Sequence, residues 1–142
     1  MWRQGPNLQN ARYAHACVSI LGSNNESEKI IVISGFDQGG KTVEILDVKK
    51  SQFTYGPPLP RRLTYPNAVA AKIDSSSGLL YVLGGYDLDK RTYISSIYVT
   101  SMNMSPDQKW TLIGNMTKKS ESFNAVLLPD VFTSDCDGSR GT

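Results

Sequence analysis

Residue types able to do acid-base, nucleophilic or metal chemistry are scarce in this sequence. It has one histidine, His15, and two cysteines, Cys17 and Cys136. A general base needs an orienting partner and a reacting group within reach, and no motif around His15 supplies either. His15 therefore reads as a strand residue that packs or bonds the backbone. Two cysteines are too few for a disulfide scaffold and match no zinc spacing. Cys17 reads as a small buried hydrophobe in an apolar run and Cys136 as a thiol in a polar tail, with a bridge between them left open.

Other chemistry-bearing patterns are equally thin. The glycine stretches "DQGGK" and "GGYD" follow apolar runs but lead into further strand-like runs, whereas a phosphate cradle needs a helix N-terminus behind it. "DCDGSRG", Asp135 to Gly141, resembles the opening of a calcium loop but stops before the bidentate acid. Asn25-Glu26-Ser27, Asn103-Met104-Ser105 and Asn115-Met116-Thr117 are glycosylation acceptor triplets, slight support for a secreted origin. No catalytic residue, metal ligand or cofactor is expected.

The totals are those of an ordinary globular chain: 142 residues, 39% hydrophobic, 20% charged, formal net charge +2. That balance gives no argument for nucleic acid or an anionic membrane surface. No run approaches a membrane span, and Met1-Trp2-Arg3-Gln4-Gly5 lacks the apolar core of a signal peptide. A soluble, untargeted protein is expected, cytoplasmic, with a secreted or cell-surface setting as the alternative.

The elements that would position any site repeat. "IVISGFD", Ile31 to Asp37, returns as "LLYVLGGYD", Leu79 to Asp87, so that Gly35 and Gly85, Phe36 and Tyr86, and Asp37 and Asp87 are each 50 positions apart. Upstream, Tyr13 matches Tyr65 and Ala16 matches Ala68 at a spacing of 52, which sets His15 against Asn67. Downstream, "QFTYGPPLP" from Gln52 matches "KWTLIGNMT" from Lys109, and "SFNAVLLPD", Ser122 to Asp130, opens a third copy. A fixed period marks repeat architecture in which each copy is one supersecondary unit.

Each copy holds four short β-branched or aromatic runs bounded by turn residues. They are Tyr13 to Ile20, Lys29 to Ser34, Thr42 to Asp47 and Gln52 to Tyr55, then Tyr65 to Ile73, Leu79 to Gly84, Ser95 to Met102 and Lys109 to Ile113. With no helical period between them, the sequence predicts an all-β chain in which each copy is a four-stranded antiparallel meander, the unit of a propeller blade.

In this order and at this period, the residues resemble kelch repeats. The resemblance rests on "SGF" (Ser34 to Phe36), "GGY" (Gly84 to Tyr86), "TVEILD" (Thr42 to Asp47), the aromatics Phe53 and Trp110, the loop Pro58 to Pro60 and "RYAHA" (Arg12 to Ala16), and it spans about residues 2 to 130. It divides the chain into the end of a preceding blade (1–12), blade one (13–61), blade two (62–118), the first strand of a third (119–130) and a polar tail (131–142). Gly35, Gly84, Gly85, Phe53 and Trp110 then serve as turn and packing residues, and the ring after each turn fills the gap between blades. The first copy departs from the family pattern by having a single glycine at the turn. Because a propeller closes with about four to eight blades, the chain is expected to be an incomplete propeller, a fragment that completes its ring with further blades or a unit that self-associates.

In such a meander the turn after the second strand and the segment entering the next blade emerge on one face. Eight basic residues, Arg12, Lys41, Arg61, Arg62, Lys90, Arg91, Lys118 and Lys119, and three acids, Asp37, Asp87 and Asp89, fall there with Phe36, Tyr86 and Tyr93. Arginine beside tyrosine is the composition of interaction hot spots. Arg12, Lys41, Arg61, Arg62, Tyr86, Lys90, Arg91 and Tyr93 are the expected partner-binding residues, for a protein partner such as an acidic peptide segment. The resemblance implies a non-catalytic interaction module of the kind found in ubiquitin-ligase substrate-recognition and actin-binding adaptors, where a BTB-type dimerisation domain would lie upstream. The alternative is a secreted propeller that binds glycans or belongs to a galactose-oxidase-like enzyme, whose copper chemistry needs two histidines where this chain has one.

Overall fold

The computed structural model describes residues 1–20, 28–72, 77–120 and 124–127. In chain order the first unit comprises β1 (Arg12–Tyr13), β2 (Ala16–Ile20), β3 (Lys29–Ile33), β4 (Phe36–Asp37), β5 (Val43–Asp47) and β6 (Gln52–Tyr55). The second comprises β7 (Leu63–Thr64), β8 (Asn67–Lys72), β9 (Gly78–Leu83), β10 (Tyr86–Asp87), β11 (Thr92–Tyr93), β12 (Ser96–Ser101) and β13 (Thr111–Asn115). The chain is all-β. Its two main sheets are antiparallel and four-stranded, in the orders β2-β3-β5-β6 and β8-β9-β12-β13. Each is thus a meander in which neighbours in sequence are neighbours in space.

The eight long strands fall where alternation and turn residues place them. The short strands β1, β4, β7, β10 and β11 add two small sheets, β1-β4 and β11-β10-β7, at the turn ends of the main ones. The first strands of the two meanders, β2 and β8, lie next to each other. Alternate residues of each sheet point into one shared core: Ile31, Ile33, Val43 and Ile45 from the first, Leu80, Val82 and Tyr98 from the second. Leu59, in the connection between the units, and Leu63, in β7, are sealed into it. Burying each such aliphatic side chain is worth about 1.5–3 kcal/mol, so the interface between the sheets stabilises both.

Trp110 closes the junction. It is buried, and its Nε1–H donates to the Pro57 carbonyl at 2.8 Å, satisfying the indole as a buried tryptophan requires. Phe53, its counterpart by strand pairing, is only half-buried. Phe36 and Tyr86 do not fill a gap between sheets: Phe36 is 43% exposed and both rings line a surface cleft.

The single glycine of the first turn has a physical substitute. Ser34 takes a left-handed φ of 59°, matching Gly84 at 58°. The Ser34 hydroxyl lies 2.6 Å from the carbonyl oxygens of Gly40 and Leu63 and accepts the Leu63 N–H at 3.1 Å. These bonds offset the strain that a side chain meets in that region. Gly35 and Gly85 have no such latitude. At φ of 109° and 97°, a Cβ would come within 2.8 Å of the Tyr13 carbonyl oxygen and 2.9 Å of that of Thr64, respectively.

The upstream register is corrected by one residue. Ala16 pairs with Ile33 and Asn67 with Leu83, so Ala16 corresponds to Asn67 and His15 to Pro66. The shared kink confirms it: Ala14 and Tyr65 both have φ of 53°, separating β1 from β2 and β7 from β8. Tyr13 belongs to the pair before the kink, whereas Tyr65 is the kink itself. Cys17 is also corrected. Strand alternation turns it away from buried Ala16, and it is an exposed free thiol. Cys136, the Asn25 triplet and the Asp135 to Gly141 stretch lie outside the described residues. Of the third copy, residues 124–127 are described; the Ala125 N–H donates to Asn67 Oδ1 at 3.1 Å.

Candidate functional site

The turn after each second strand is tied to the segment that enters its own unit, and the first turn also to the segment that enters the second unit. Gln38 N–H donates to Ala11 O at 3.1 Å, Gly35 N–H to Leu63 O at 2.9 Å and Leu88 N–H to Arg62 O at 2.9 Å. The small pairings β1-β4 and β7-β10-β11 are the visible result, and they gather the loop residues of both units at one end of the molecule. The Tyr65 N–H donates to Ala14 O at 2.7 Å, linking the two kinks directly.

Between these pairings lies a cleft of about 380 Å³, lined by Tyr13, Phe36, Thr64, Tyr65, Tyr86, Leu88 and Tyr93. That volume lies in the range of ligand-sized sites. Its walls are two cross-strand aromatic pairs. Tyr13 and Phe36 oppose each other in register, with ring centroids 5.1 Å apart, and Tyr86 and Tyr93 do so at 5.0 Å, nearly edge to face. Thr64 is 4% exposed, and its Oγ1 is buried without a hydrogen-bond partner among the described residues.

The basic residues divide into inward and outward groups. Arg12 and Glu44 form an ion pair with both side chains fully buried. The same guanidinium donates to Ser34 O at 2.9 Å, Thr42 O at 3.1 Å and Thr42 Oγ1 at 2.7 Å. Glu44 also accepts the backbone N–H groups of Gln9 at 2.6 Å and Asn10 at 3.0 Å. With every donor directed at the protein, Arg12 offers no charge to the surface. Arg61 repeats the theme on the second sheet, donating to Asp87 at 2.5 Å and to Tyr98 Oη at 2.8 Å; Tyr98 stands where Glu44 stands in the first sheet, each paired with the next-to-last residue of its second strand, Val82 and Val32.

Asp87 is 1% exposed. Burial alone would raise its pKa, but the N–H groups of Lys90 and Asp89 and the Arg61 guanidinium together hold it below the ordinary carboxylate value. The bond to Asp87 correspondingly raises the Arg61 pKa, against the opposing effect of its own desolvation. Arg62 is half exposed and meets Asp89 at 3.4 Å. Lys41, Lys90 and Arg91 are exposed and form no ion pair among the described residues. Lys118 and Lys119 are exposed as well. The exposed cations in the turns that carry the cleft residues are therefore Lys41, Arg62, Lys90 and Arg91, with Asp37 and Asp89 the exposed acids beside them.

A second cavity, about 360 Å³, opens where β2 and β8 begin and holds His15, Cys17, Asn67 and Asn124. Desolvation lowers the His15 pKa and the positive charge of Arg12 lowers it further. Partial desolvation by the surrounding cavity wall raises that of Cys17, although the residue is exposed, which leaves less thiolate at neutral pH. Among the described residues, no three His, Cys, Asp or Glu side chains converge as a metal site, and no helix is long and apolar enough to cross a membrane.

Sequence reasoning placed Tyr86 and Tyr93 on this face but passed over Tyr13, Thr64, Tyr65 and Leu88 as cleft residues. For Tyr13 and Tyr65 the signal was their recurrence just upstream of the two repeats; Thr64 and Leu88 carried none. Neither a protein-family model nor a curated protein matches the chain.

Proposed function

We propose that the two meanders are blades of a kelch-type β-propeller and that the chain is a protein-interaction module, without catalysis of its own, that binds a partner segment at its loop face. The observation that carries the functional reading is the aromatic cleft between the two small strand pairings, with four outward cations around its end of the molecule. Tyrosine-rich clefts flanked by arginine are the composition of interface hot spots. The repeat of about fifty residues, each copy folding as a meander with first strands side by side, supports the kelch assignment.

In this reading Lys41, Arg62, Lys90 and Arg91 attract an acidic segment, and Tyr86 and Tyr93 supply contact area. Arg12 and Arg61 act beneath the surface, fixing the loops that carry those residues. The role is that of a substrate-recognition or cytoskeletal adaptor in the cytoplasm. The test is charge reversal: Arg62→Glu combined with Arg91→Glu abolishes binding of an acidic peptide, in a protein whose circular dichroism is unchanged. Retained binding by that variant removes the proposal.

A further inference from the structure

We infer that the aromatic cleft receives a proline-containing, extended stretch of the partner, held between the Tyr13–Phe36 and Tyr86–Tyr93 pairs with acidic residues on its flanks. The inference rests on the loop-face reading above and names the chemistry of the segment.

Two observations lead to it. First, the walls are the rings of Tyr13, Phe36, Tyr86 and Tyr93. Aromatic-lined grooves accept polyproline II segments, whose rigid rings stack on aromatics and whose conformation is largely set before binding. Second, the charges argue against the other ligand that aromatic boxes take, a quaternary ammonium or methylated lysine. The exposed cations Lys41, Arg62, Lys90 and Arg91 outnumber the exposed acids Asp37 and Asp89 of the same turns; the balance disfavours a cation and favours Asp and Glu beside the prolines.

The rings are available for such contact. Tyr13 is 57% exposed and Tyr93 41% exposed, so truncating either leaves the shared core untouched.

The experiment titrates the intact chain, by calorimetry, with a synthetic peptide that has a Pro-x-x-Pro core and Asp-Glu flanks. Comparison peptides replace the prolines with alanine, the acidic flanks with lysine, or the core with trimethyl-lysine. The prolyl acidic peptide is expected to bind, with the alanine-core and lysine-flank peptides each weaker by about tenfold. Tyr13→Ala and Tyr93→Ala are expected to weaken it by a similar factor. In the unsubstituted protein, amide shifts on binding should concentrate at Tyr13, Phe36, Thr64, Tyr86 and Tyr93, a readout that does not depend on any variant folding. Equal affinity for the alanine-core peptide, or tighter binding of the trimethyl-lysine peptide, overturns the inference. In the first case sensitivity to Arg62→Glu and Arg91→Glu leaves the loop-face reading standing. If no acidic peptide binds and the reversal changes nothing, both fall together.

Discussion

Glu44→Ala is the sharpest perturbation of the fold that carries the loop face. Glu44 has no exposed surface, accepts the N–H groups of Gln9 and Asn10, and pairs with Arg12. Removing the carboxylate leaves the buried guanidinium without its counter-charge, a change that costs about 3–5 kcal/mol where both partners were buried. Arg12 keeps Ser34 O, Thr42 O and Thr42 Oγ1 as acceptors, which places the expected loss in the lower part of that range, about 3 kcal/mol. Against a domain stability of about 5–15 kcal/mol, that is a large fraction. Urea unfolding followed by circular dichroism gives the number, with an unchanged slope showing that the transition is still cooperative. A second variant, Arg12→Met with Glu44→Leu, removes both charges and keeps the volume, and should recover about 2 kcal/mol of the loss because no charge is left stranded. A loss below about 1 kcal/mol for Glu44→Ala, or a double variant no more stable than the single one, refutes the reasoning.

Three further outcomes follow from the same geometry. Asp87→Asn should destabilise by about 2 kcal/mol, as the charge-assisted bonds from Arg61 and two backbone N–H groups weaken. Because the folded pKa of Asp87 lies below its ordinary value of 3.8, its contribution is present above that value and is lost as pH falls through the folded pKa; the variant's unfolding curve should lack this acid-side loss. Gly85→Ala forces a Cβ to 2.9 Å from the Thr64 carbonyl oxygen at a φ of 97° and should cost about 1–3 kcal/mol, measured as a lower urea midpoint, whereas the same change at Gly5, with open space around it, should be silent. His15, whose pKa is lowered by desolvation and by Arg12, should titrate below its ordinary 6.5 by NMR. The unfolded chain then binds the proton more readily, so stability falls as pH drops from above 6.5 toward the folded pKa, and His15→Gln should flatten that limb.

What was legible in the sequence was local. Short β-branched runs ended by Gly, Pro, Asn and Asp specify strands and turns through sterics that act within a few residues, and this is why all eight long strands and the meander order could be read directly. The pairing of Phe53 with the position of Trp110, and the loop face itself, came from the same repeat.

Tertiary structure decided everything that depends on which way a side chain turns. An arginine in a loop reads alike whether it meets solvent or a buried acid; Arg12 is taken inward only because Glu44, on another strand, arrives beside it. A strand read as continuous from Tyr13 is broken by one residue of positive φ at Ala14, as its equivalent is at Tyr65, and within β2 it is Ala16 that turns to the core and Cys17 to the surface. The aromatic cleft is made by two pairs, each local to its own unit, that face one another only once the sheets pack. The sequence by itself determined the strands and their order, because hydrophobic alternation and backbone sterics are short-ranged; the partnering of charges and the cleft between units required packing, because those contacts join residues tens of positions apart.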